Sequence, residues 1–545
     1  MTNTKVTLIS VDEYGPSIGI RFLSSVLKKA GFQTNVLFIR GMVTKDAAFE
    51  KAMLFDGEMH DIIADLCEKS LYIGISVATS TYHKAREITE RLKSRMSIPI
   101  IWGGVHTIIK PEECLQYADM LCAGEGENLA VELARRLQKG DPLSGIPGLV
   151  LPGEPGIPPV LPEITDLPDP DYSFDGTHYL AMAGRKLIPF DISMYNQAMF
   201  NNYYLSPTRG CPHKCTYCIN NKYFNLYRNS GGKRFRSRNL DNLIAELKNV
   251  KKNIRAVRRI IIDDDCFMAL KTEDVRYFAE EYQKHIGLPF VIRGAHPNNL
   301  TEEKLDILCK AGLIKLRVGV QTGSENIRKL YARTWENNKK ILAMAHMINR
   351  FIKEKKLRYV MYDFIVDNPW ETEQDKLDTL NLILTLPRPF GLYNFSLTFY
   401  PGTALAEKAI TENIAEDDPK SETYWKQYWN LAPTPVNTVL DIMCSMPLPS
   451  SLMRFLARDS IVAAGIRNFL KILVAVIPEV SLFQGTKLRY EADSLLMFGE
   501  ESREIAVKRL KEEQENVEPK VLMLLRRFLL EIYIKHVSPP RMNLD

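Results

Sequence analysis

Cys211, Cys215 and Cys218 lie in the run Arg-Gly-Cys-Pro-His-Lys-Cys-Thr-Tyr-Cys. Thiolates are the usual ligands of 4Fe-4S clusters, and three at this spacing can hold three corners of an iron-sulfur cube. The fourth iron then keeps an open coordination position for a substrate or cofactor. A zinc site would need a fourth ligand at matching spacing. His213 lies inside the run, but Cys67, Cys114, Cys122, Cys266, Cys309 and Cys444 form no second cluster of that kind. Nine cysteines with no even pairing framework and no secretory signal argue against disulfides. A reducing cytosol, and so a cytoplasmic location, is the expectation.

The rest of the chain must position those thiolates. At 545 residues it has room for about three domains. Hydrophobic content of 45% and charged content of 25% are those of a globular protein, which excludes disordered and fibrous classes. A net charge of +5 spread over 71 basic and 66 acidic residues gives no footprint for nucleic acid. The most apolar stretches, Ile461 to Val480 and Val521 to Ile534, are broken by Arg467, Lys471, Arg526 and Arg527, so no transmembrane segment is expected. Their basic amphipathic character leaves peripheral membrane contact open, with buried helices the commoner outcome.

Residues 1–140 alternate strand and helix patterns. Strands are predicted at Lys5–Ser10, Thr34–Ile39, Tyr72–Val77 and Ile98–Trp102, and helices at Arg21–Ala30 and His83–Met96. Such alternation makes a doubly wound parallel sheet of the Rossmann or flavodoxin kind, whose ligands sit at the carboxyl ends of the strands. The unusual residues cluster there: Ser76, Thr79, Ser80, Gly103, Gly104, His106, Thr107 and the turn Gly124-Glu125-Gly126-Glu127. Two glycines after a strand let a ligand approach backbone amides, though either could equally serve a tight turn.

Residues 141–200 are rich in proline and turn formers and read as a linker. From 201 to 405 the rhythm resumes, with strands predicted near Tyr203–Ser206, Arg259–Ile262, Phe290–Arg293, Leu316–Val320, Tyr359–Val366 and Asn394–Phe399. Six such strands suit a partial (β/α)6 barrel of the TIM type, with active groups at the strands' carboxyl ends. Asp263-Asp264-Asp265, Arg293, Gln321, Thr322, Ser324, Glu325, Asp363, Asp367 and Asn368 fall at those ends. Three adjacent aspartates invite a divalent-cation reading, but neighbouring strand residues point to opposite faces. Residues 406–545 read as a mostly helical substrate or cap region, with Tyr424, Trp425, Tyr428 and Trp429 as aromatic features.

The Cys-x-x-x-Cys-x-x-Cys spacing resembles the signature of the radical S-adenosylmethionine (SAM) superfamily. The rim of the first domain, taken with Pro111-Glu112-Glu113 and Asp119, resembles a cobalamin-binding domain. Together they look like the cobalamin-dependent radical SAM class (class B radical SAM methyltransferase-like), as do the segments Asp-Asp-Asp-Cys-Phe, Arg-Val-Gly-Val-Gln-Thr-Gly-Ser-Glu, Asp-Phe-Ile-Val-Asp-Asn-Pro-Trp-Glu-Thr and Phe-Tyr-Pro-Gly-Thr. The resemblance covers residues 1 to about 405. It implies a 4Fe-4S cluster on Cys211, Cys215 and Cys218, with SAM on the open iron. Tyr217 would lie beside the adenine and Gln321 would be a polar SAM contact. Cobalamin would be held by Ser76, Thr79, Gly103, Gly104, His106, Thr107, Gly124, Glu125, Gly126 and Glu127. Where that family ligates cobalt through histidine it carries Asp-x-His-x-x-Gly, and here the loop reads Asp12-Glu13-Tyr14-Gly15-Pro16-Ser17-Ile18-Gly19. The cobalt is therefore expected to lack a protein imidazole, with His106 helping to hold the nucleotide tail or the loop, or serving as a hydrogen-bonded loop histidine.

The resemblance implies a methyltransferase that moves a methyl group from methylcobalamin to an unactivated carbon or phosphorus centre through a 5′-deoxyadenosyl radical. It also implies an electron donor such as flavodoxin or ferredoxin. The substrate expected is a small or lipid-like molecule. A cobalamin-dependent rearrangement, cyclisation or ring contraction is the close alternative, and a non-catalytic cobalamin sensor the distant one.

Overall fold

The computed structural model describes residues 4–11, 17–39, 57–182, 186–199, 201–228, 232–418, 421, 426, 431–445 and 449–476. The loop 12–16, the four aromatics at 424, 425, 428 and 429, and the stretch Val521 to Ile534 lie outside the described residues, as does the end of Ile461 to Val480. The chain forms two compact units. The first comprises 1–213, 217–260 and 400–425; the second comprises 214–216, 261–399 and 426–545. These units cut across the expected domain limits at 200 and 405.

The first unit holds an eight-stranded sheet of β1 (Lys5–Ser10), β2 (Gln33–Ile39), β3 (Ser70–Ser76), β4 (Ile100–Gly103), β5 (Met120–Cys122), β6 (Leu149–Val150), β7 (His178–Met182) and β8 (Lys186–Pro189). Its order is β6-β5-β4-β3-β1-β2-β7-β8. β1 pairs in parallel with both β2 and β3, so the winding reverses between β1 and β3, which opens a crevice at their carboxyl ends. Helices Ile18–Lys29 and Tyr82–Lys93 lie within about three residues of their sequence-based limits. The core joins Ile9, Leu37, Ile39, Ile73, Ile75, Ile88, Trp102 and Leu121. Apolar runs on both sheet faces require helices on both sides, and this is why the strands read as nearly continuous hydrophobic sequence.

The segment 141–200 does more than link. β6 pairs antiparallel with β5, β7 parallel with β2 and β8 antiparallel with β7, so both sheet edges are extended by it. Arg21, 1% exposed, explains the docking. Its guanidinium donates to the Asp171 carbonyl at 2.9 Å and lies 4.4 Å from the Phe38 ring, 4.1 Å from Tyr172 and 5.3 Å from Phe190. A cation surrounded by ring faces is stabilised by their quadrupoles, which partly offsets its desolvation. Proline and glycine announce broken helices in this segment but not its distant partners.

His178 is buried here, with Nε2 3.6 Å from the Asp171 carboxylate. Burial pushes its pKa down to about 4, reinforced by Arg21 and opposed by Asp171. A depressed histidine stays neutral when folded while the unfolded chain takes up a proton. Stability is therefore present above the unfolded value near 6.5 and is lost as pH falls toward 4. Thermal unfolding between pH 7 and 4 should show a loss approaching about 3 kcal/mol, reduced in His178→Gln. An identical pH slope in that variant would assign the loss to other groups.

The same unit continues through β9 (Asn202–Leu205), β10 (Thr208–Gly210) and β11 (Phe235–Ser237) into β12 (Arg259–Ile262). β9 lies beside β12, and β10 and β11 form an antiparallel pair. The second unit takes over inside β12 and carries β13 (Phe290–Ala295), β14 (Leu313–Gln321), β15 (Tyr359–Val366) and β16 (Gly391–Ser396), side by side in chain order. The pairs β13–β14, β14–β15 and β15–β16 are parallel, each joined by helical crossovers. Strand β16 lies about three residues before its expected position. The run Asn394–Phe399 mixes the strand's end with a following loop whose first backbone amide, Leu397, donates to Val366.

Helices Pro435–Ser445, Ser450–Leu456 and Ile461–Val476 complete the described second unit. Arg467 is buried and donates to the Leu456 and Arg458 carbonyls at 2.6 and 2.8 Å, which satisfies acceptors left at a helix end. Among the described residues no helix is long and apolar enough to cross a membrane.

Candidate functional site

The three cysteines follow β10 directly. Cys211 comes immediately after Gly210, and Cys218 immediately precedes the turn into the helix Asn220–Tyr227. The loop returns to β11, so an antiparallel ladder pairing Thr208 with Ser237 and Gly210 with Phe235 closes its base. Gly210 adopts φ +82°, and a Cβ there would come within 2.2 Å of the Arg234 carbonyl oxygen. Only glycine permits that close approach. Cys211, Cys218 and Tyr217 are half-buried and Cys215 is buried.

Within the second unit the loop's middle is fixed separately. Thr216 donates its backbone N–H to the Tyr331 carbonyl and its hydroxyl to that of Leu330. The Arg333 guanidinium lies 3.9 Å from Cys215 Sγ, donates to the Gly319 carbonyl at 2.6 Å and pairs with Glu336, which in turn faces His296 at 3.1 Å. Donors to a ligating sulfur tune such sites. Sequence reading missed Arg333. Its spacing from the cysteines carries no local signal.

Burial on β14 alternates, leaving Lys315, Arg317, Gly319 and Gln321 on the more open face. Gln321 has φ +74°, a left-handed conformation that costs a non-glycine residue about 1–3 kcal/mol and gathers at functional sites. On the same sheet, the Arg317 Nε–H donates to both carboxylate oxygens of Asp363 at 2.8 Å, and its guanidinium lies over the rings of Tyr393 and Phe395. Burial pushes Asp363 up to about 6, with Arg317 opposing, so it remains ionised at neutral pH. Glu371, in the loop after β15, is pushed by burial up to about 7. A carboxyl in that range can exchange a proton near neutrality, and hydrophobic periodicity gave no hint of it.

The aspartate run does not converge. Asp263 pairs with Arg293 at 3.3 Å, whereas Asp264 caps the Phe267 amide at 2.8 Å. Asp367 accepts from Ser396 and from the Ala432 amide, while Asn368 donates to Tyr331. Ser324 and Thr322 are buried in hydrogen bonds with Asp375 and Thr379. Glu325 is surface-exposed and paired with Lys329.

In the first unit, Ser76, Gly103 and Gly104 lie half-buried at the carboxyl ends of β3 and β4. Gly104 has φ +105°, and a Cβ would meet the Val77 carbonyl oxygen at 2.7 Å, so the loops after β3 and β4 close on each other there. This small-residue rim beside the winding reversal fits a large planar cofactor that approaches backbone. Thr79 and Thr107 are buried. Thr107 donates to the Gly104 and Cys122 carbonyls and Thr79 faces His106 Nδ1 at 3.2 Å.

Two expectations change on this rim. The His106 side chain is fully buried, with Nε2 3.4 Å from Glu113 and its ring 4.9 Å from that of Tyr82. Of the roles expected for it, this geometry matches the hydrogen-bonded loop histidine and leaves no nitrogen for a nucleotide tail. Glu125 and Glu127 are likewise engaged by protein, with Arg209 2.5 Å from each and Arg236 also on Glu125. Burial raises the Glu127 pKa, but Arg209 outweighs it and the net shift is downward. Gly124 is enforced by packing, since a Cβ would lie 2.5 Å from the Tyr227 hydroxyl and 2.9 Å from Pro159.

The fold is α/β in both units, with a doubly wound sheet in the first and a parallel sheet in the second. A B12 binding domain model matches residues 4–134, and a radical SAM superfamily model matches 205–383. The chain resembles the radical SAM methyltransferase TsrM of Kitasatospora setae, with TM-score 0.57 and 18% identity over 75% of this chain and 76% of that one. It also resembles the cobalamin-dependent radical enzyme OxsB, with TM-score 0.62 and 14% identity over 97% and 84%. Among curated relatives, the anaerobic magnesium-protoporphyrin IX monomethyl ester cyclase of Rubrivivax gelatinosus is 24% identical over 57% of this chain and 52% of its own length. A tRNA-2-methylthio-N(6)-dimethylallyladenosine synthase of Psychrobacter is 27% identical over 37% and 41%. The chain thus spans about half the length, or less, of these curated relatives. It carries a B12 binding domain and a radical SAM superfamily domain, and the cofactors this pairing implies are a 4Fe-4S cluster, SAM and cobalamin.

Proposed function

We propose that the protein is a methyltransferase acting on an unactivated carbon or phosphorus centre of a small or lipid-like molecule. The carrying observation is the presence of a B12 binding domain and a radical SAM domain on one chain, together with the likeness to TsrM, a radical SAM methyltransferase that binds cobalamin and a [4Fe-4S] cluster. When bound, the cluster and SAM supply a hydrogen-abstracting radical and cobalamin supplies a transferable methyl group. In this reading Cys211, Cys215 and Cys218 hold the cluster, and Tyr217 and Gln321 border SAM. Ser76, Gly103 and Gly104 form the cobalamin rim. The Arg317–Asp363 pair between the rings on β16 gives the sheet face a fixed polar feature by which a substrate can be oriented. Glu371 is placed to hold or release a proton there. An electron donor such as flavodoxin or ferredoxin, and a cytoplasmic location, belong to the same proposal.

Cyclisation or rearrangement is the second reading, favoured by the likeness to the magnesium-protoporphyrin cyclase. Anaerobic reconstitution with SAM carrying a deuterated methyl group separates the two. Label passing to the bound corrinoid, together with 5′-deoxyadenosine, is expected. Deoxyadenosine without any label on the corrinoid would select cyclisation or rearrangement, and neither product would favour a sensor. In the same sample, electron paramagnetic resonance of cob(II)alamin is expected to lack a nitrogen triplet, because residues 12–19 contain no histidine.

A further inference from the structure

The turn Gly124–Glu127 lies inside the match to the B12 binding domain, which runs to residue 134, yet its two carboxylates face the hairpin that bounds the cysteine loop. Arg209 stands on β10, two positions before Cys211, and spans Glu125 Oε2 and Glu127 Oε1 at 2.5 Å each. Arg236, its cross-strand partner on β11, takes the other oxygen of Glu125. The Glu125 backbone N–H donates to the Tyr227 hydroxyl at 2.5 Å, and Tyr227 ends the helix that follows Cys218. Side-chain exposure is 22% for Arg209, 14% for Arg236 and Glu125, and 6% for Glu127, so the network is largely shielded from water.

We propose that Glu125, Glu127, Arg209 and Arg236 form a positioning clamp by which the acidic glycine turn sets the entry and exit strands of the cluster-binding loop, rather than contacting cobalamin. A guanidinium fork held by two carboxylates has one rotational setting, and that setting fixes the backbone from which Cys211 departs. Tyr227 fixes the other side of the loop against the same turn. The glycines serve this contact: position 124 must be bare for Tyr227 and Pro159 to close, and at 126 a Cβ would sit 3.3 Å from Leu23 and 3.4 Å from Cys122 Sγ. The clamp is independent of whether the enzyme methylates or cyclises.

The test uses the full chain reconstituted anaerobically with iron, sulfide and cobalamin. Glu125→Gln and Glu127→Gln are nearly isosteric and remove one charge each; Glu127→Asp keeps it. Iron content, the reduced cluster's electron paramagnetic resonance spectrum with and without SAM, and cobalamin affinity by absorbance titration are read separately. The Gln variants should bind iron about tenfold more weakly, the lower end of outer-shell losses, with an altered spectrum. Glu127→Asp should recover part of this, while cobalamin affinity stays within about twofold throughout. Arg236→Lys, away from the buried Glu127, keeps the test open should the Glu127 variants fail to fold, and its spectrum should also shift because lysine lacks the fork. Weakened cobalamin binding in the Gln variants would overturn the proposal and return the turn to the cofactor rim. An unchanged cluster would overturn it equally.

Discussion

Replacing any one of Cys211, Cys215 or Cys218 with Ala is expected to abolish stable cluster assembly and the formation of 5′-deoxyadenosine, while cobalamin binding survives. Two thiolates hold an iron-sulfur cube incompletely, and the loss exposes a second iron to solvent. The folded chain should persist, because the loop's base is closed by the β10–β11 ladder and its middle by Thr216 against Leu330 and Tyr331. Iron and sulfide analysis of reconstituted variants, with deoxyadenosine quantified by chromatography, checks this. Deoxyadenosine above background from the triple-alanine chain would remove the cluster from these residues.

Arg21→Ala should be the most damaging single change outside the cofactor sites, lowering stability by about 3–5 kcal/mol. The side chain is buried among Phe38, Tyr172 and Phe190, so its removal leaves a void lined by rings and an unpaired Asp171 carbonyl. Arg21→Met, which refills the volume, should cost markedly less, since it avoids desolvating a cation. A fall in melting temperature on the order of 10 °C for the Ala variant is expected. Equal behaviour of Ala and Met would mean that the void, and not the ring-enclosed charge, carries no weight in docking 141–200.

Much of this architecture was legible in local sequence. Strands β12 and β15 coincide with their expected spans, because β-branched runs bounded by polar residues have few other uses. The cysteines stood out through spacing alone, whereas nothing in their spacing announced the β10–β11 ladder at the base of their loop. Partnerships across long chain separations were not. Glu125 and Glu127 looked like a ligand rim since Gly-Glu-Gly-Glu after a strand has no local partner, and Arg209 and Arg236 lie far downstream. His106 could be read as a tail contact or as a loop histidine for the same reason, and Thr79 and Glu113 decide for the loop. Arg333 and Glu371 gave no signal, because burial rather than spacing gives them their properties. Strands β7 and β8, which extend the sheet beyond β2, were hidden in a segment that prolines and turn formers mark as a linker.

The ladder between β10 and β11 has a further consequence for the life of the enzyme. Bringing distant chain positions together costs entropy that grows with the logarithm of the loop between them. Here the backbone bonds of the β10–β11 ladder offset part of that cost with no contribution from iron. A chain stripped of its iron by oxygen is therefore expected to keep the base of the loop and to accept a new cluster.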